Sequence, residues 1–342
     1  MLTDRQRLIL HAIIDDYIRS AEPVGSRSIS KRGDVGFSPA TIRNEMSDLE
    51  ELGYLEQPHT SAGRVPSHKG YRYYVDHLLQ LNKLTSHDLD TVRFFFAEKK
   101  NQTEKVIQHV ASILSGLTNY TSIVMGPDIH RARLKHIQLV PLNEDTAVAI
   151  IVSSMGQVEN KIVSIPRGLP VSELEKFVNL LNHKMKDVPF NELRSKLFQE
   201  IRNELILHVE RYDELLHIVD TVMESNNTED RLFLSGATNM LVQPEFKDVD
   251  KLKSILDLLD ETEAVAQLFT SAGNGIQVRI GKENDNEAIH QCSFITATYS
   301  VEGRPFGTIG ILGPTRMEYG RVISLLDYLS KDLAVLLSRW YG

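Results

Sequence analysis

The sequence predicts a multidomain α+β protein, and three observations lead to that prediction. Its 342 residues exceed the length of one ordinary domain. The first eighty residues have the pattern of short helices followed by a hairpin. Beyond residue 120, strand-like segments occur on both sides of a block with helical periodicity, at about 170–225. We therefore expect a small N-terminal domain, then a sheet-containing domain into which a mostly helical block is inserted.

Start and stop signals define the first two helices. Thr3 is a good N-cap for a helix that runs to about residue 20, with apolar residues on one face. Pro23 and Gly25 end that helix, because proline disfavours helix before it and glycine frees the turn. Ser26 begins a short second helix that ends near Lys31.

The third helix has the clearest boundaries and is followed by a hairpin. Ser38 and Pro39 place an N-cap directly before a proline at the first helical position, and Gly53 follows the helix as a C-terminal glycine. Strand residues 54–56 and the turn-rich loop 57–64 then lead to a return strand and a fourth helix, which runs to about residue 81. Three helices followed by a hairpin are the order of a winged helix-turn-helix.

The segments beyond residue 103 predict one more helix, a set of strands and a C-terminal helix. The helix spans about 103–119, and the last one spans about 317–339. The predicted strands are 122–125, 134–140, 147–152, 158–165, 232–234, 275–280, 292–300 and 306–312.

Charge and cysteine content exclude several classes of protein. The net charge is −8, and residues 1–80 hold ten Lys or Arg against eleven Asp or Glu, so any nucleic-acid binding must use a local patch. Two such patches exist, since residues 57–75 contain no acid and residues 23–44 contain only Asp34. The single Cys292 excludes an internal disulfide framework and a cysteine zinc site. We expect no metal, no cofactor and no enzymatic activity.

No segment has the features of a signal peptide or a membrane span. The longest apolar runs are far shorter than the roughly 20 residues that a span requires. We therefore expect a soluble, cytoplasmic protein with no membrane partner.

The third helix predicts contact with duplex DNA. At 100° per residue, Ile42, Met46 and Leu49 lie on one side, and the opposite side is small and polar near its N-terminus. Asn pairs well with adenine edges and Arg with guanine edges in the major groove. An ordinary amphipathic helix is the alternative, but the preceding helix-turn and the acid-free hairpin favour DNA. The predicted DNA-contacting residues are Arg27, Ser38, Ala40, Thr41, Arg43, Asn44, Ser47, Arg64, Lys69 and Arg72.

Within that set, Arg64 is expected at the tip of the wing, against a minor groove or a phosphate. Lys69 is expected to contact phosphate. The neighbouring Tyr71, Tyr73 and Tyr74 are expected to pack beneath the wing rather than to touch DNA.

Three long motifs resemble the HrcA family of heat-inducible transcription repressors. They are EPVGSRSISKR at 22–32, SPATIRNEMSDLEELGYLEQPHTSAGRVPSHKGYRYYVD at 38–76 and EGRPFGTIGILGPTRMEY at 302–319. The resemblance implies a negative regulator of chaperone operons that binds a palindromic operator as a homodimer. It also implies that repressor activity depends on a GroE-type chaperonin.

The resemblance further implies a GAF-like α+β domain that contains an inserted dimerisation domain. Combined with the periodicity above, it gives a winged helix at 1–82, a linker at 83–102, a GAF-like domain at 103–165 and 229–342, and a helical insert at 166–228. Within the insert, dimerisation is assigned to Val209, Tyr212, Leu216 and Val219. Alternatively, these four residues fill the core of the insert itself.

Two other functions are compatible with the sequence. A metabolite that binds the GAF-like domain could gate repression, because such domains often hold small ligands. An enzyme with an accessory DNA-binding module is the less favoured alternative, because no group of residues has catalytic spacing.

Overall fold

The computed structural model divides into two compact units. The first comprises Met1–Gly126 and Leu232–Val335, and the second comprises Pro127–Arg231 and Leu336–Gly342. Four residues to which dimerisation was assigned, at positions 209, 212, 216 and 219, lie outside the described residues. The residues that the structure describes are 2–59, 62–98, 103–126, 133–154, 158–166, 168–197, 232–270, 275–301 and 304–341.

The N-terminal part of the first unit is a winged helix, as predicted. Its helices are α1 (Asp4–Ser20), α2 (Ser26–Ser30) and α3 (Pro39–Glu51). Thr3 caps α1 in a reciprocal capping box with Gln6, which satisfies two backbone N–H groups that the first turn leaves free. Apolar residues of all three helices form a common core, in which Ile13, Ile29 and Ile42 are fully buried.

A short hairpin follows α3 and forms the wing. Strands β1 (Leu55–Glu56) and β2 (Val65–Pro66) pair antiparallel. Helix α4 (His68–Tyr73) begins after the N-cap Ser67 and passes into one π-helical turn at Tyr74–Leu78. The fourth helix is therefore shorter than predicted and ends in a wider turn.

The region predicted as a linker, 83–102, contains a helix. Helix α5 (Ser86–Glu98) starts at a local cap in which Thr85 and Asp88 exchange backbone and side-chain hydrogen bonds. Asp88 is buried and also accepts a hydrogen bond from Arg321 at 3.1 Å. The apolar spacing of Leu89, Val92 and Phe96 predicts some helical content in this linker, and the structure gives it one helix. The ion pair of Asp88 with Arg321 is a long-range contact that local periodicity does not indicate.

A five-stranded antiparallel sheet forms the rest of the first unit. Its strands are in the order β7-β3-β10-β9-β8. The two strands of this sheet that come first and last along the chain, β3 and β10, are therefore neighbours. All five strands match predicted segments. Their bounds are β3 (Thr121–Met125), β7 (Leu232–Ser235), β8 (Ile276–Ile280), β9 (Cys292–Val301) and β10 (Arg304–Pro314).

Two helices of this sheet-containing region, Val249–Asp260 and Thr262–Gln267, share an apolar core with Ile123, Phe294 and Leu312 of the sheet. The GAF-like assignment of the region remains a prediction. The helices are α6 (Thr103–Thr118), α9 (Val249–Asp260), α10 (Thr262–Gln267) and α11 (Tyr319–Tyr341).

The second unit contains a separate three-stranded sheet. Strands β4 (Leu134–Pro141), β5 (Thr146–Ser153) and β6 (Val158–Ser164) pair antiparallel with β5 in the centre. Helices α7 (Val171–Met185) and α8 (Phe190–Lys196) contribute to a core on one face of this sheet.

This arrangement differs from the predicted domain boundaries. The sequence placed β4, β5 and β6 in the GAF-like domain and began the insert at residue 166, whereas the second unit begins at Pro127. The strands themselves were predicted correctly. Their alternating apolar pattern identifies a half-buried strand but does not determine which partner strand it pairs with.

Candidate DNA interface

Helix α3 presents one face to the core and the opposite face to solvent. Ile42, Met46 and Leu49 are at most 4% exposed, which confirms the predicted apolar side. Ala40, Arg43, Asn44 and Ser47 are all exposed on the other side. The side chains of Arg43, Asn44 and Ser47 make no hydrogen bond or ion pair to a described residue, so their polar groups are available to a ligand.

The N-terminus of α3 is held by its own side chains. Ser38 Oγ accepts a hydrogen bond from the Thr41 amide at 3.2 Å and lies 2.9 Å from Thr41 Oγ1. Thr41 is half-buried, whereas Ser38 is exposed. Both residues therefore serve as a cap first, and they lie where a recognition helix meets the groove.

Cations flank this face on α2 and at the C-cap of that helix, while one basic residue nearby has a structural role. Arg27 and Lys31 are exposed. Arg32 instead donates to the Ala12 carbonyl at 3.1 Å and to Asp16 and Asp34 at 2.7 and 2.9 Å, which ties the turn to α1. The hydrogen bond from Arg32 lowers the pKa of the Asp34 carboxyl.

Acidic residues near α3 are partly neutralised. Glu45 pairs with Arg5 at 3.2 Å, and Glu50 pairs with Arg64 at 2.7 Å. Asp48 and Glu51 are exposed, and both lie in the C-terminal half of α3. The exposed acids therefore lie beyond Arg43 and Asn44, toward the C-terminal end of α3. The N-terminal end is the part of a recognition helix that contacts bases.

Arg64 lies at the base of the wing and not at its tip, so its predicted position is wrong. Its backbone forms a two-way bridge with Val24, with both N···O distances at 2.9 Å, and its side chain donates to Glu50. The close approach requires Gly63, since a Cβ there would lie 2.4 Å from the Val24 carbonyl oxygen. The pattern missed this bridge because Pro23–Gly25 looked like a helix stop.

Lys69 is exposed but already has intramolecular partners. Its Nζ donates to the Leu52 carbonyl at 2.7 Å and lies 4.6 Å from the ring centroid of Tyr54. Leu52 is the C-cap of α3, so the ammonium satisfies a carbonyl at the end of the candidate recognition helix. A phosphate contact by Lys69 remains a prediction.

Arg72 already has partners within the protein, and a DNA contact by Arg72 remains a prediction. Nε donates to Glu283 at 2.8 Å, Nη1 to Asp76 at 3.1 Å and Nη2 to the Val278 carbonyl at 2.5 Å. The basic run of the sequence indicates the positive charge of Arg72 but not the partners of its side chain. Acceptors some 200 residues away cannot be identified from local patterning.

Tyr71 and Tyr74 are buried and Tyr73 is half-buried, but only Tyr73 has an aromatic contact in the wing region where all three were predicted to pack. Tyr73 stacks edge-on against Tyr54 at 5.3 Å between centroids. Tyr71 and Tyr74 contact Tyr319 at the start of α11, at 5.9 and 6.5 Å. The wing tip itself, Thr60 and Ser61, lies outside the described residues.

A helix-turn-helix with a solvent-facing third helix and a hairpin wing defines the class: a winged-helix DNA-binding protein. Residues 1–77 match the family described as "Winged helix-turn-helix transcription repressor, HrcA DNA-binding", and residues 104–323 match "HrcA protein C terminal domain". The chain therefore belongs to the HrcA family. As a member it is a heat-inducible transcription repressor and not an enzyme.

Individual relatives agree with this membership over their full length. The heat-inducible transcription repressor HrcA of Brevibacillus brevis is 56% identical, with 99% of this chain and 98% of the relative covered. Those of Bacillus pumilus and Halalkalibacterium halodurans are 50% and 51% identical, with 100% of this chain and 99% of each relative covered.

A solved structure supports the fold alone. A crystal structure of a hypothetical protein at 2.2 Å resolution is 23% identical, with a TM-score of 0.65 and 99% coverage of both chains.

Within the described residues, every helix is too short or too polar to cross a membrane.

Proposed function

We propose that the protein represses heat-shock operons, those that encode chaperones, by binding a palindromic operator as a homodimer with α3 in the major groove. The observation that carries this proposal is the exposed polar face of α3, where Arg43, Asn44 and Ser47 have no partner among the described residues. Exposed Arg27 on α2 supplies positive charge beside it. Side chains of this kind read bases, and flanking cations hold phosphates.

Footprinting on the promoter of a chaperone operon tests the proposal. We expect one protected palindrome with two half-sites related by two-fold symmetry, because a dimer mirrors its operator. Arg27→Ala should weaken binding to operator and to random DNA alike, and reduce the slope of log K against log salt by about one unit. Protection without symmetry, or an unchanged slope, would contradict the placement of the helix or of Arg27.

An apolar sheet surface in the second unit supports the dimer. The register places three cross-strand rows on the face of β4-β5-β6 opposite α7. Six of its nine positions are apolar, and Val158 and Ile162 are 62% and 71% exposed. Exposed apolar patches of this kind mark association surfaces. The three rows are Val140–Val148–Ile162, Gln138–Ile150–Asn160 and His136–Val152–Val158.

A charge on this sheet face should separate the protomers. We expect Ile162→Glu to shift the protein from dimer to monomer in light scattering and to weaken binding to the full palindrome but not to a half-site. Val249→Glu is the matched control, because Val249 is 75% exposed on α9 in the other unit. A fully dimeric Ile162→Glu variant would exclude this face from the interface.

The same face connects the proposal to a GroE-type chaperonin. A protomer without its partner exposes this apolar face, and chaperonins retain proteins with exposed apolar surface. We propose that the chaperonin holds such protomers until they assemble, so that less free chaperonin means less active repressor. Operator binding by heat-treated protein should recover with added chaperonin and ATP. Equal recovery without chaperonin would contradict this dependence.

A further inference from the structure

Three contacts attach the winged helix to the five-stranded sheet region of the same unit. One is made by Arg72 on α4, one by Arg316 between β10 and α11, and one by the ring of Tyr319. We call this set, with the acids Glu283 and Glu245, the docking clamp. None of its members lies on the exposed face of α3.

The Arg72 contact is a multiply bonded ion pair. Both oxygens of Glu283 accept from Arg72, one of them at 2.8 Å, and the Val278 carbonyl accepts from the same guanidinium. Glu283 is itself oriented by the Ile280 amide, which donates to it at 2.8 Å. A planar guanidinium held by two acceptors is restrained in direction as well as in distance.

The Arg316 contact holds the other side of the winged helix. Its Nη1 donates to the Ile18 carbonyl at 2.6 Å, in the last turn of α1, while Nε donates to Glu245 at 2.6 Å. Its side chain is only 13% exposed. One partly buried cation therefore binds both the end of α1 and an acid of the sheet region.

The surfaces between these contacts fit closely. A Cβ at Gly281 would lie 2.2 Å from Nδ1 of His68, and a Cβ at Gly320 would lie 2.7 Å from the Gln80 carbonyl oxygen. The backbone at Gly281 thus approaches the winged helix more closely than a residue with a Cβ would permit. The backbone at Gly320 approaches the chain that follows the winged helix in the same way. Three separated attachment points with close packing between them prevent rotation as well as separation.

We propose that the docking clamp sets the direction in which α3 is presented, so that Glu283 and Arg316 are positioning residues for the spacing between operator half-sites. The inference rests on the proposed function. Two recognition helices bind two half-sites together only when the spacing of the half-sites matches the separation at which the protein holds the helices. A winged helix that pivoted freely would accept many spacings.

Binding to a series of palindromes with different central spacing tests the proposal. We expect the unmodified protein to prefer one spacing at least tenfold over spacings changed by two or three base pairs. Glu283→Arg should reduce that preference to about threefold or less, with affinity for an isolated half-site unchanged. The charge exchange Arg72→Glu with Glu283→Arg should restore most of the preference, which general destabilisation would not do.

Asp327→Arg is the matched control for the charge reversal. Asp327 pairs with Lys331 on α11 and is 44% exposed, compared with 39% for Glu283, but it is not part of the clamp. It should leave the spacing preference intact. An intact preference in Glu283→Arg would overturn the role of the clamp, whereas no preference in the unmodified protein would overturn the palindromic operator on which it rests.

A distance measurement tests the clamp without DNA. Spin labels on Lys31→Cys and Lys253→Cys report on α2 and on α9, and both positions are exposed. Cys292 is buried, and burial raises the pKa of its thiol to about 12, so it should not react with the label. We expect a narrow distance distribution that broadens in Glu283→Arg. An equally narrow distribution in that variant would contradict the proposal.

Discussion

Asn44 illustrates what a single side chain contributes on the α3 surface. Its amide is exposed and makes no hydrogen bond to a described residue, and an amide of this kind can bond both N6 and N7 of adenine. We expect Asn44→Ala to lose roughly 1–3 kcal/mol of discrimination between the operator and operators mutated at one base pair. Gln108→Ala, an exposed amide on α6, is the control. Unchanged base preference would mean that α3 is placed differently.

Removal of the hydroxyl group should change the free energy of unfolding in opposite directions at Tyr71 and at Tyr319, whose rings are in contact. The Tyr71 hydroxyl is buried and has no hydrogen-bond partner among the described residues. Tyr319 Oη lies 2.7 Å from both Ser293 Oγ and the Thr315 carbonyl oxygen. An unsatisfied buried hydroxyl costs about 1–3 kcal/mol. Tyr71→Phe should therefore raise the free energy of unfolding, and Tyr319→Phe should lower it, in urea titrations. A loss of stability in Tyr71→Phe would imply a hydroxyl partner outside the described residues.

At the scale of elements, the wing depends on one close backbone approach. A Cβ at Gly63 would collide with the Val24 carbonyl group, so we expect Gly63→Ala to destabilise the domain by about 1–3 kcal/mol. Gly33→Ala is the control, since its Cβ would meet nothing within 4 Å. Thermal unfolding of both variants measures the difference. Equal melting temperatures would show that the Val24–Arg64 backbone bridge accommodates the Cβ without a loss of stability.

Elements with strong local signals could be predicted from the sequence. The Ser38 cap, the Pro39 start and the buried positions of α3 all follow from local chemistry, and each strand beyond residue 120 was found near its predicted bounds. The grouping of strands into two sheets could not be predicted, because pairing depends on contacts far apart in sequence. The ion-pair partners of Arg64 and Arg72 could not be predicted for the same reason. Their charges were visible, but Glu50 and Glu283 were not recognisable as partners.

The whole molecule should respond to acid through its ion pairs. Burial raises the pKa of the Glu283 carboxyl, but hydrogen bonds from Arg72 and Ile280 outweigh it and lower that pKa overall. A lowered pKa means that the stabilisation is present above the unfolded-state value and is lost as pH falls through the folded-state value. We expect stability to drop below about pH 4.3 and to drop less in Glu283→Gln. Identical acid curves for the two proteins would exclude this contribution.

The adjacency of β3 and β10 has a consequence for how the protein is made. These neighbouring strands are separated by the whole intervening chain, so a ribosome finishes β3 roughly 10–40 s before β10 exists. The winged helix is complete even earlier, while Arg316 and Tyr319 emerge after almost everything else. During that interval the nascent chain contains the complete winged helix but lacks the residues of the sheet region to which the winged helix docks. The docking clamp therefore forms only when synthesis is almost complete. Until then the winged helix of a new chain is undocked.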